Sequence, residues 1–164
     1  MRVVCNTSPL TNLAKIQRLD ILESLYGRVF IPTAVANELS ALPQQAALLA
    51  ASPWIEILPA TDLKRLAELL QGLDPGEAEA IALAAQVQAD LIILDERAAR
   101  LAAHQLQLRT MGLCGVLIAA KNALIIPTVW PVLYELRVNA KFWLSDDVVK
   151  LVLEATGEHE EKPE

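Results

Sequence analysis

Leu91-Ile92-Ile93-Leu94-Asp95-Glu96 is the stretch on which the fold turns. Four consecutive apolar residues ended by an acid read as a strand covered on both faces, the pattern of a central strand in a parallel sheet. Helical patterns flank it. Residues 61–73 form an amphipathic helix, Asp74-Pro75-Gly76 stops it and starts another over 77–87, and residues 96–104 follow the strand.

Farther out, residues 2–5 (Arg-Val-Val-Cys) make a first strand that ends at Asn6. Ser8 is then a candidate cap, and Pro9 fits a first helical turn. Val29-Phe30-Ile31 is a second strand. Pro32-Thr33 opens a helix through Leu42, and 43–51 adds a further turn or two. Residues 54–58 alternate like a half-exposed edge strand, and 106–109 read as a short last one. Helices over 113–121, 127–136 and 145–155 close the chain. Strands alternating with helices imply a three-layer α/β/α sandwich with a mostly parallel sheet. Sites in such sheets form at the C-terminal ends of strands, where Asn6 and Asp95 both stand.

Composition sets the bounds. The 164 residues suit one domain, expected over 1–156, with 157–164 as a frayed acidic tail. Aromatics are only 4%, so the core must come from Leu, Ile, Val and Ala. The net charge of −6 excludes broad electrostatic nucleic-acid binding of the histone kind, but not an enzyme with a metal and a few local cations. Cys5 and Cys114 have neither disulfide-framework nor zinc spacing and read as reduced core thiols. No apolar run reaches the ~18 residues of a membrane span, and a signal-peptide pattern is missing, so a cytoplasmic protein is expected.

The acids carry the chemistry. Helical spacing puts Glu38 on one face with Ala34, Val35, Ala41 and Leu42, and Glu77 with Ala80, Ile81 and Ala84, while Glu79 and Gln86 share the polar side. Each has a plain structural alternative: Glu38 at the margin of its stripe, Glu77 as a first-turn acid, Asp95 as an N-cap, Asn6 as a turn residue. Buried carboxylates are costly unless paired, and no Lys or Arg adjoins Glu38 or Glu77 in sequence. A divalent cation at one sheet edge would resolve this. Arg97 and Arg100 after Asp95, and Lys15 on the first helix, are candidates to meet a phosphate backbone, with ordinary solvated surface charge as the plain alternative for each. Neither a GxGxxG nor a GxxxxGK[ST] motif is present, which weighs against a nucleotide-binding domain.

The strings Val3-Val4-Cys5-Asn6-Thr7-Ser8-Pro9-Leu10, Ile31 to Leu39, Gly76 to Ala84, Leu94-Asp95-Glu96-Arg97 and Gly112 to Leu117 come in a telling order. Across residues 2–155 the chain resembles a PIN domain, and more closely a PIN-like prokaryotic family related to VapC-type toxins. The resemblance implies a Mg²⁺- or Mn²⁺-dependent endoribonuclease cleaving single-stranded RNA. It further implies the toxin half of a pair with a cognate antitoxin protein, acting as a homodimer. Glu38, Glu77 and Asp95 match the family's metal-binding acids, and Thr7 or Ser8 its hydroxyl. Asn6 stands where the family's first-strand Asp usually sits, leaving the site one negative charge short. A catalytically weakened RNA- or protein-binding module is the alternative that Asn6 favours. The C-terminal helices, with Val129, Trp130, Leu133, Trp143 and Leu144, read either as a self-association surface or as ordinary core packing against the sheet.

Overall fold

The computed structural model describes residues 1–160. In chain order the elements are β1 (Val3–Cys5), α1 (Thr7–Lys15), α2 (Asp20–Tyr26), β2 (Val29–Pro32), α3 (Thr33–Ser40), α4 (Pro43–Ala50) and β3 (Ile55–Leu58). After them come α5 (Leu63–Leu69), α6 (Pro75–Gln86), β4 (Leu91–Ile93), α7 (Arg97–Gln105), β5 (Thr110–Met111), α8 (Leu113–Asn122), α9 (Trp130–Val138) and α10 (Asp146–Thr156). The strands form one parallel sheet in the order β3-β2-β1-β4-β5. The expected three-layer α/β/α architecture is present.

Side-chain alternation along the strands explains the layers. Val3, Cys5, Leu91 and Ile93 point into one core with residues of α1, α2, α8, α9 and α10. Val4, Ile92 and Leu94 point into the other, against α6 and α7. Strands buried on both faces need apolar residues at every position, hence the unbroken run at 91–94. Among the described residues, no helix is long and apolar enough to cross a membrane.

The strand order places the site. From β1 the chain steps outward through β2 to β3, then returns to the far side of β1 with β4 and β5. The direction reverses between β1 and β4, and a crevice opens at such a switch point beyond the carboxyl ends of the two strands. Cys5 pairs with Ile93 in the ladder, and the Asn6 N–H donates to the Ile93 carbonyl at 3.0 Å. Asn6 and Asp95 therefore leave adjacent strands side by side.

Several boundaries differ from those expected. The last strand is Thr110–Met111 rather than 106–109, because the chain turns through a left-handed Gln107 (φ 59°) before it can join β4. The first helix begins at Thr7, with Asn6 rather than Ser8 as its cap residue. Glu158, assigned to the tail, is held: its carboxylate accepts from the Val129 and Trp130 N–H groups at 2.8 and 3.0 Å, and Lys121 lies 3.5 Å away. Residues 161–164 of the expected tail lie outside the described residues. Val129, Leu133 and Leu144 are buried core residues, whereas Trp143 is 82% exposed.

Candidate active site at the switch point

Asn6 is only 5% exposed, and its side-chain oxygen Oδ1 is buried without a hydrogen-bond partner. An orphaned buried acceptor is uncommon and costs about 1–3 kcal/mol of desolvation. As the N-cap of α1 it could have bonded to that helix, yet it makes no side-chain cap bond.

Asp95 repeats the pattern on the neighbouring strand. Its Oδ1 accepts from the Leu113 N–H at 2.8 Å, while Oδ2 is buried and unpartnered. An N-cap for the following helix was the plain structural alternative for Asp95, and the structure excludes it: Glu96 is the cap residue of α7, and Asp95 bonds to the first turn of α8. Gly112 permits the approach, since a Cβ there would come within 2.9 Å of Oδ1. Burial raises the Asp95 carboxyl above its ordinary range; the Leu113 N–H and Arg100 pull it down, and Glu96 adds to the rise.

Glu77 is 8% exposed and belongs to a capping box with Asp74: each side chain accepts from the other's backbone N–H, at 2.8 and 3.2 Å. Its structural role is real. Burial still lifts its pKa, the Asp74 N–H opposes, and the charges of Asp74, Glu96 and Glu38 add to the rise.

Glu38 departs most from its expected face. It is exposed, and α3 buries Val35, Ala36 and Leu39 instead; Ala41 and Leu42 lie beyond its end, exposed. Its carboxylate nevertheless turns inward. Thr7 Oγ1 donates to Oε2, and Oε1 lies where a Cβ on Gly76 would sit, 2.7 Å from it. Glycine at 76 leaves room for this approach, which sets Glu38 beside the residue preceding Glu77.

Contacts link Asn6-Thr7 to Glu38 and Glu38 to Gly76-Glu77, and the charge of Glu96 acts on both Glu77 and Asp95, around the ends of β1 and β4. Sequence reasoning undervalued Glu96, whose charge acts on both Glu77 and Asp95. It also left Glu79 on a polar face, although Glu79 Oε2 accepts from the Ala34 N–H at 2.8 Å, at the start of α3. The signal for both lay in tertiary approach rather than spacing; only the glycines at 76 and 112, each beside an acid in space, hint at it. Among the described residues, no group of three or more His, Cys, Asp or Glu side chains is arranged to hold a metal ion.

An open groove of about 950 Å³ leads away from Asp95. Lys15 and Arg100 line it, while Arg97 does not. Cys114 also lines it, its thiol pushed up to about 11 by burial and by Asp95; Cys5 is fully buried and its thiol is raised further for the same two reasons. Neither thiol is poised as a nucleophile.

The family model DUF3368, described as a PIN domain, matches residues 2–158. No curated protein matches the chain.

Proposed function

Because the chain belongs to the PIN-domain family, a nuclease-type fold that is generally dependent on divalent metal, we propose that it is a Mg²⁺- or Mn²⁺-dependent endoribonuclease acting on single-stranded RNA. The observation that carries this reading is the pair of unpartnered buried oxygens, Asn6 Oδ1 and Asp95 Oδ2, at the switch point. Both are hard oxygen donors, as Mg²⁺ and Mn²⁺ prefer. With no closed three-acid set, the ion would keep several waters, and Glu38 and Glu77 would act through them.

Bound there, the cation would lower the pKa of a water and offset charge on the phosphate. The chain supplies the rest. Thr7 occupies Glu38 Oε2, leaving Oε1 as the atom to take a proton from the attacking water. Glu77, on which the charges of Glu38 and Glu96 act, would help hold the waters of the ion, and the leaving oxygen takes its proton from solvent. Arg100 and Lys15, along the groove, meet the phosphate backbone. The resemblance supports a cytoplasmic toxin, paired with an antitoxin protein and working as a homodimer.

Asn6 is the specific feature behind a second reading, a binding module that retains RNA without cutting it. One assay separates the two: cleavage of mixed-sequence RNA with Mn²⁺ and with EDTA, on wild type, Asp95→Asn and Asn6→Asp. The nuclease reading expects metal-dependent cleavage by wild type, loss in Asp95→Asn and gain in Asn6→Asp, where ligand charge rises. No cleavage by wild type and none gained by Asn6→Asp would leave the binding module.

A further inference from the structure

We propose that the loop between α9 and α10 is a stacking platform for an unpaired RNA base, with Trp143 as the surface on which the base lies. The inference takes its ligand class from the nuclease reading but stands on different residues.

Trp143 is 82% exposed in a chain with only three tryptophans, two tyrosines and two phenylalanines. Its ring presents a large flat π-face to solvent, with a polar N–H at the edge. The loop does not merely lack order. Ala140 and Leu144 are buried at its two ends, and Phe142 packs against the core between them. The Phe142 N–H donates to the Leu136 carbonyl at 2.9 Å, and Arg137 donates to the Leu144 carbonyl at 2.9 Å. With 140, 142 and 144 anchored inward, Lys141 and Trp143 face outward. Lys141 takes a left-handed backbone (φ 54°), which a residue with a Cβ adopts at a cost.

The platform and Asp95 line one continuous groove. Lys15, Arg100 and Lys141 line the same groove, together with Glu96, and among the described residues none of the three cations is in an ion pair. Cations along a channel with an aromatic face at one end are the combination that holds single strands, because phosphates track the charges while bases stack without regard to sequence. A base inside a duplex has both faces covered by its stacked neighbours. The groove therefore selects single-stranded over duplex RNA.

The test is binding of a short fluorescent oligoadenylate to wild type, Trp143→Ala, Trp143→Phe and Lys141→Gln in EDTA, which separates binding from cleavage. Wild type should bind the single strand and not the matching duplex, with quenching of tryptophan emission. Trp143→Ala should weaken binding by roughly 5- to 160-fold, the range set by loss of one base–aromatic stack, and Trp143→Phe should retain most of it. Lys141→Gln should lower the salt slope by about 0.7, the value for one phosphate contact on a single strand. Melting curves of the variants should match wild type, as expected at exposed positions.

Equal affinity of Trp143→Ala and wild type would overturn the platform, as would failure of wild type to bind the single strand in EDTA. Conversion of a dimer to a monomer by Trp143→Ala, with RNA affinity unchanged, would also overturn it and assign the ring to a second copy. Trp143-dependent binding without metal-dependent cleavage would keep the platform and reject the nuclease. Cleavage with Trp143→Ala binding unchanged would do the reverse.

Discussion

Two carboxylates reach across the fold to the first turn of a helix, Asp95 to α8 and Glu158 to α9. Their surroundings differ sharply. Glu158 uses both oxygens: Oε1 and Oε2 accept from the Val129 N–H, Oε2 accepts from the Trp130 N–H as well, and Lys121 pairs with Oε1. Burial pushes its pKa up, but those two N–H groups and Lys121 outweigh this and hold it below the ordinary carboxylate range. Asp95 has one N–H for one oxygen, leaves the other bare, and has its pKa raised. The fold can satisfy a carboxylate completely where stability is the purpose. At the switch point it leaves the second oxygen unmet, and Asn6 beside it likewise. That asymmetry is the mark of a site rather than of a staple.

Substitution should separate the two. Asp95→Asn keeps an oxygen for the Leu113 N–H but removes the charge. RNA cleavage should fall by ~100-fold or more, beyond the ~10- to 100-fold that losing even an outer-shell partner costs, while the melting temperature holds or rises. A stabilising Asp95 would show the opposite, full activity with a lowered melting temperature. Glu158→Ala strips a charged acceptor from two backbone donors and should cost about 1.5–3 kcal/mol. By the usual size scaling that is a fall of roughly 3–12 °C in melting temperature, with cleavage per folded molecule unchanged. Calorimetry and an initial-rate assay read the two effects independently.

Gly76→Ala probes the site without touching an acid. The new methyl would displace the Glu38 carboxylate, the far end of a flexible side chain, so the helix itself should tolerate it. Cleavage should drop by about 10-fold, as for a disturbed outer shell, with little change in melting. Unaltered cleavage would remove Glu38 from the mechanism.

The smallest effect is in pH dependence, read as the difference in stability between each variant and wild type. Glu158 has a depressed folded pKa, so its contribution is present above the unfolded value and lost as pH falls through the folded one. Asp95 has a raised folded pKa; stability linked to it is present below the unfolded value and lost as pH rises through the folded one. Wild type should therefore exceed Glu158→Ala most at neutral pH and least in acid. Asp95→Asn should gain on wild type over the rising limb.

What the sequence disclosed, and what it withheld, follows the same division. The 91–94 run and the first two strands were legible because burial on both faces demands unbroken apolar residues. Asn6 and Asp95 were legible as strand ends, where the topology puts sites. The partner of Asp95 was not, since the local rule points to α7 and only the neighbouring strand brings α8 within reach. Helical spacing misjudged Glu38, because α3 stops at Ser40, before the apolar face drawn for it could continue. Glu158 lies in an acidic stretch whose composition resembles a tail, and only the open N–H groups at Val129 and Trp130 give it a task.

A Mn²⁺ titration followed by water proton relaxation tests the central claim most directly, on wild type, Asp95→Asn, Asn6→Asp and Glu158→Ala. One saturable site is expected in wild type, weakened in Asp95→Asn, tightened in Asn6→Asp and unchanged in Glu158→Ala. No saturable binding by wild type, or equal binding by wild type and Asp95→Asn, would contradict it.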